Sequence, residues 1–159
     1  MKPDKFVGLI ALFLLLVSFV AGAVEPKIIG MAKVYSVKSD FESAKDALLD
    51  AIQGRGMVVS YTSHADAMLG RTAGAVGATE LVYKHAEILL FCKADLSHNL
   101  VAASPHNIVM CPYSIAVYET KDEPGVVYYS YRSADDSKIP AVKLIQKLLD
   151  SVVNEAIEG

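Results

Sequence analysis

Phe6 to Val20 carries no charge, and from Ile28 onward apolar residues recur at short, regular intervals. Ile28 to Val37 is rich in β-branched and apolar residues and predicts a first strand. Ser39 or Asp40 stands where a side-chain oxygen accepts a free N–H at a helix start, and Phe41, Ala44, Leu48, Ala51 and Ile52 share one face of that helix. Gly54 and Gly56 bracket its end. Met57 to Thr62 is strand-like in composition. Ser63 to Thr79 is small and dotted with Gly70, Gly74 and Gly77, which predicts a short helical turn around Ala65 to Leu69 and then a loop.

Leu81 to Cys92 alternates most clearly, and the alternation assigns Val82, Ala86, Ile88, Leu90 and Cys92 to the core side, with Tyr83, His85, Glu87 and Phe91 opposite. Asp95 to Ala103 predicts two helical turns. Ile108 to Tyr118 reads as a long strand with Val109, Cys111, Tyr113, Ile115 and Val117 pointing one way. Asp122-Glu123-Pro124-Gly125 is turn chemistry, so Val126 to Arg132 returns antiparallel to it. Ile145, Leu148, Leu149, Val152, Val153 and Ala156 mark an amphipathic helix with Pro140 in its first turn. The order predicts an α+β two-layer sandwich, with helices on one face of a mainly antiparallel sheet.

The first 23 residues have the three parts of a secretory signal: a basic start, an apolar core and the small-x-small site Ala21-Gly22-Ala23. About 15 apolar residues are fewer than the roughly 20 that a spanning helix needs, so cleavage before Val24 is expected, with an uncleaved anchor as the alternative. Residues 24–159 then form one domain, periplasmic or secreted. The whole chain has 15 basic and 18 acidic residues; the segment 1–23 holds Lys2, Lys5 and Asp4, which leaves 13 against 17. An acidic, exported chain without a basic stripe is a poor nucleic-acid ligand.

His64, Met68, Cys92, His98, His106, Met110 and Cys111 gather sulfur and imidazole in one part of the chain, a set that suits copper, zinc or haem iron. The metal candidates are His64, Met68, Cys92 and His98, although no tight ligand pair or haem-attachment run occurs. Cys92 and Cys111, both assigned to the core side, are candidates for a disulfide in an oxidising compartment or for small buried hydrophobes. Glu87, Asp95 and Glu119 are the carboxylates on or beside strands, and no nucleophile elbow, phosphate loop or zinc-protease signature appears. Tyrosines such as Tyr83, Tyr118 and Tyr128 suit a groove or a dimer face.

The runs Ala86-Glu87-Ile88-Leu89-Leu90-Phe91-Cys92, Leu96-Ser97-His98, Ser104-Pro105-His106-Asn107-Ile108 and Cys111-Pro112-Tyr113-Ser114-Ile115-Ala116-Val117-Tyr118 resemble the DUF302 family. His64, Met68 to Thr72 and Glu123 to Tyr128 extend the likeness, which spans roughly Ile28 to Ile157. The resemblance implies a TATA-binding-protein-like α/β sandwich and a homodimer; it implies no DNA binding and carries no catalytic residue over. The leading expectation is an accessory binding domain that holds a small ligand, a metal or a partner protein. Its groove is expected between the 63–79 segment and the cysteine strands, with His64, Met68, Arg71, Cys92, His98, Asn107 and Cys111 as ligand candidates. The alternatives are a thiol-dependent enzyme or redox component, and a dimeric interaction module without ligand.

Overall fold

The computed structural model describes residues 24–134 and 136–159; the expected signal segment 1–23 lies outside them. The first predicted strand is a hairpin, β1 (Lys27–Ile29) and β2 (Ala32–Lys38). Gly30, at φ 60°, stands first in the two-residue loop between Ile29 and Ala32, where a tight hairpin requires positive φ. Asp40 caps α1 (Phe41–Gln53) by accepting from the Ser43 N–H at 2.9 Å, and the five residues predicted for its inner face are all buried. β3 (Val58–His64) follows.

The segment 63–79 departs from expectation. It forms a full helix, α2 (Ala65–Val76), which runs through Gly70 and Gly74 and stops at Gly77, whose φ is 70°. Alanines and Leu69 offset the glycines' helix penalty of roughly 1 kcal/mol each. No residue of α2 is buried.

β4 (Tyr83–Cys92) inverts the expected phase. Leu89 and Phe91 face the helices and are buried, while Ile88 and Leu90 lie on the other face and Cys92 is exposed. Glu87 and His85 share the side of Leu89: Glu87 meets Lys45 at 3.6 Å, and His85 stacks on Phe41 at 4.8 Å. α3 (Ala94–Ala103) is followed by a 3-10 helix at Pro105–Met110, so Ile108 to Cys111 are not strand. Ser104 and Pro105 start that turn, and Ser104 Oγ accepts the His106 N–H at 3.4 Å. A cis Cys111–Pro112 bond leads into β5 (Tyr113–Thr120), which turns into β6 (Val126–Arg132). α4 (Pro140–Glu158) closes the fold.

The result is an α+β two-layer fold with one six-stranded antiparallel sheet, ordered β1-β2-β6-β5-β4-β3. α1 and α4 pack on each other over the face that carries Tyr35, Tyr129, Val117, Leu89 and Phe91. Tyr129 is fully buried and donates its hydroxyl to the Ala44 carbonyl at 2.7 Å; burial pushes its pKa up to about 12. No helix among the described residues is long and apolar enough to cross a membrane.

α4 is fastened to the sheet by Asp150. Lys33 Nζ lies 2.8 Å from its Oδ1, the Tyr35 hydroxyl donates at 2.5 Å, and the Tyr131 hydroxyl donates to the same oxygen. Burial raises the Asp150 pKa, but the bonds from Lys33, Tyr131 and Tyr35 outweigh it and hold the carboxyl below its ordinary 3.8. Asp150→Asn should therefore lower stability near pH 7 by about 1.5–3 kcal/mol, the range for hydrogen bonds to a charged group. Because the folded pKa is depressed, the advantage of the native chain over the variant should be full above pH 3.8 and vanish as pH falls through the folded value. Denaturant unfolding of both chains across this range measures it.

Candidate functional site

β4 and β5 are hydrogen-bonded neighbours, and the last rung of their ladder pairs Phe91 with Tyr113. The chain between them leaves the sheet as α3 and the 3-10 helix and re-enters beside its exit. Cys92 and Cys111 sit at the two ends of that excursion, which is why residues 92 and 111 meet. Both cysteines are free: Cys92 is exposed and Cys111 half-buried, so neither lies in the core as the alternation predicted. The two cysteines line the same depression, and Cys111 is among the groups that act on the Cys92 thiol.

They line an open depression of about 350 Å³ with Ala94, Ser97, His98, Val101 and Ile108. Ala94, Ser97, His98 and Val101 fall three and four residues apart, which puts them on one face of α3. The Cys111 thiol donates to Ser97 Oγ at 3.6 Å, and that oxygen lies 3.0 Å from the Tyr113 hydroxyl. Desolvation pushes the Cys92 pKa up, and negative charge on the Cys111 sulfur adds to the rise; the Tyr113 N–H and the Ser97 hydroxyl partly offset it. Burial likewise raises the Tyr113 phenol, against the bond from Ser97. The arrangement is a pair of thiols with two hydroxyls beside them, open to solvent. Ser97 and Tyr113 were absent from the sequence-derived site; their signal was position, one before His98 and two after Cys111.

The other candidates are dispersed. His64 pairs in register with Glu87, and Cys92 with Val58 at the far end of the same strands. At ~3.3 Å per residue, His64 and Cys92 stand about 17 Å apart along β4. A single centre built from His64, Met68, Cys92 and His98 is therefore not assembled, and the 63–79 segment does not wall the cysteine depression. His64 Nδ1 instead lies 3.4 Å from Glu87, while Met68 and Arg71 are exposed on α2. No group of three or more His, Cys, Asp or Glu side chains among the described residues is placed to hold a metal ion. Asn107 donates to the Leu100 carbonyl at 3.1 Å and ties the 3-10 helix to α3. Glu119 is buried and accepts from the Gly125 N–H at 2.9 Å and from Lys84 at 3.0 Å, which hold its carboxyl below the ordinary range. A separate apolar depression of about 140 Å³ between α2 and the start of β4 contains neither thiol nor imidazole.

The family model DUF302, described as a domain of unknown function, matches residues 33–156. Among solved structures, the chain is similar to an uncharacterized conserved DUF302 protein from Bacillus stearothermophilus. The TM-score is 0.65 at 12% identity, over 80% of this chain and 99% of that one. At that identity the likeness carries the fold alone. No curated protein matches the chain.

Alkylation of Cys92 should show a midpoint above the ordinary thiol value of 9.0. In Cys111→Ala the neighbouring charge is gone, and the midpoint should move down towards it. Iodoacetamide labelling rates against pH, read by peptide mapping, test both; an unmoved midpoint would mean that the two sulfurs do not interact.

Proposed function

The chain belongs to the DUF302 family, a domain of unknown function, and from that premise we propose an exported accessory domain whose working group is the Cys92–Cys111 pair, cycling between dithiol and disulfide. The observation that carries the reading is the meeting of two free thiols, one of them exposed, at an open depression. A thiol kept only for packing is normally buried and inert. Paired and accessible thiols in an oxidising compartment are positioned to close. Oxidation removes one proton from each sulfur and two electrons from the pair, and both protons and electrons pass to an external disulfide that is reduced to two thiols. The metal reading has less support: His98 lines the same depression as the two sulfurs, but no three such side chains among the described residues are placed to hold an ion, and zinc takes four ligands.

A homodimer is the second reading, and the sheet face away from α1 and α4 favours it. Directly opposed residues share a face. One row there reads Ser36, Tyr128, Tyr118 and Ala86, and the next reads Val34, Ser130, Ala116, Ile88 and Ser63. The first row holds no charge and the second meets one only at its edge, where Lys27 on β1 stands opposite Val34, whereas a solvated sheet face alternates in polar residues. Tyr118 and Tyr128 stack at 5.2 Å within it. At ~4.8 Å between strands and ~3.4 Å per residue the face offers roughly 700 Å², close to the roughly 800 Å² per partner of a stable interface.

Intact mass of the protein recovered from its native compartment, with thiols blocked at lysis, tests the first reading. The expected species begins at Val24, lacks the two thiol hydrogens and regains them on reduction with Cys92 then labelled. Full-length chain in the membrane would overturn the export reading, and thiols that stay reduced and unreactive would overturn the redox reading. Light scattering tests the second: a dimer is expected at micromolar concentration, and Tyr118→Lys should convert it to a folded monomer.

A further inference from the structure

The surface around the thiols also restricts what can exchange with them. Cys92 is the exposed sulfur and Cys111 the half-buried one, so an incoming disulfide reaches Cys92 first. The depression is lined by Ala94, Val101 and Ile108 together with Ser97 and His98, and holds no lysine, arginine or carboxylate. Lys93 and Asp95, on either side of Ala94 in sequence, pair with each other at 2.6 Å. A small charged thiol compound such as glutathione meets only the Ser97 hydroxyl and the His98 imidazole as polar side chains beside the two sulfurs.

Apolar surface continues beyond the depression on both sides. Val109 is 79% exposed on the 3-10 helix; Val58, opposite Cys92 on β3, is 76% exposed. β3 is an edge of the sheet, so among the described residues its outer backbone groups face no strand. The β3 side of Cys92 is therefore open to a partner chain, whose residues next to its own cysteine cover Val58. We infer that the exchange partner is a polypeptide segment whose cysteine is flanked by aliphatic residues.

This rests on the dithiol reading and adds the partner's class to it. The Cys92 thiolate attacks one sulfur of the partner's disulfide, forming a Cys92–partner bond as the other partner sulfur leaves as thiolate. Cys111 then attacks the Cys92 sulfur, closes Cys92–Cys111 and releases the second partner thiolate. Two protein thiols are oxidised, one partner disulfide is reduced, and the two protons lost from the cysteines are available to the released thiols.

The test uses Cys111→Ser, which stops the reaction at the mixed disulfide, with three probes: the disulfide of a short peptide whose cysteine is flanked by leucine and valine, the same peptide with serines there, and glutathione disulfide. Adduct formation at Cys92 is followed by mass spectrometry. The aliphatic peptide should react at least about tenfold faster than either other probe, the smallest difference expected from covering one aliphatic side chain. Ile108→Asp and, separately, Val58→Asp should shrink that ratio. Equal rates for the three probes would overturn the partner class and leave the dithiol reading standing. No adduct with any probe, although Cys92 is reduced, would overturn both.

Discussion

The antiparallel ladder between β4 and β5 is the constraint on which the rest of the molecule depends. It lies inside the sheet, with β3 on one side and β6, β2 and β1 on the other. It presents Leu89, Phe91, Ile115 and Val117 to α1 and α4 on one face. It also closes the excursion that contains α3. Loop closure grows in cost only slowly with length, so a central ladder accommodates a long insertion. The thiol site follows from this topology, because the chain must leave and re-enter at adjacent strand ends.

The excursion is ordered by its own contacts. Leu100 is fully buried, and Asn107 joins the 3-10 helix to the Leu100 carbonyl. Ser97 links α3 to Tyr113 through its hydroxyl, and the Phe91 and Tyr113 rings meet edge to face at 6.2 Å across the closing rung. These interactions require no Cys92–Cys111 bond.

Legibility followed how strongly one side of each element was buried. α1 and α4 each bury a stripe against the sheet, so helical spacing identified all five inner residues of α1 and five of the eight in α4; it missed Ala141, Val142 and Gln146, and Leu148 is only half-buried. The β5–β6 turn was equally plain, since Asp122 to Gly125 has few alternatives. β4 was misread in phase because both of its faces are apolar: Leu89 and Phe91 meet the helices, and Ile88 and Leu90 lie on the outer face. Period two then places the strand without saying which side is in. Ile108, Val109 and Met110 carry strand-like side chains, but Ser104 and Pro105 start a 3-10 turn ahead of them, and local capping prevailed over composition. The nearness of His64 and Met68 to Cys92 was only apparent in sequence, because β3 and β4 pair over their length and set them at opposite ends.

A disulfide that closes a loop of about twenty residues restricts the unfolded chain by roughly 3 kcal/mol on the chain-entropy view. Where a native element exists only because of such a bond, reduction unfolds it, and the bond is structural. Here the two sulfurs are already neighbours in the reduced fold, and Asn107, Ser97 and Leu100 hold the excursion without them. Both redox states can therefore keep the same frame, and the bond constrains mainly the unfolded chain. A couple of this kind exchanges electrons without dismantling its own site. On the proposed dithiol reading, that property separates a working thiol pair from a staple, and it would arise from an ordinary feature of the fold: two adjacent strand ends with a self-supporting excursion between them.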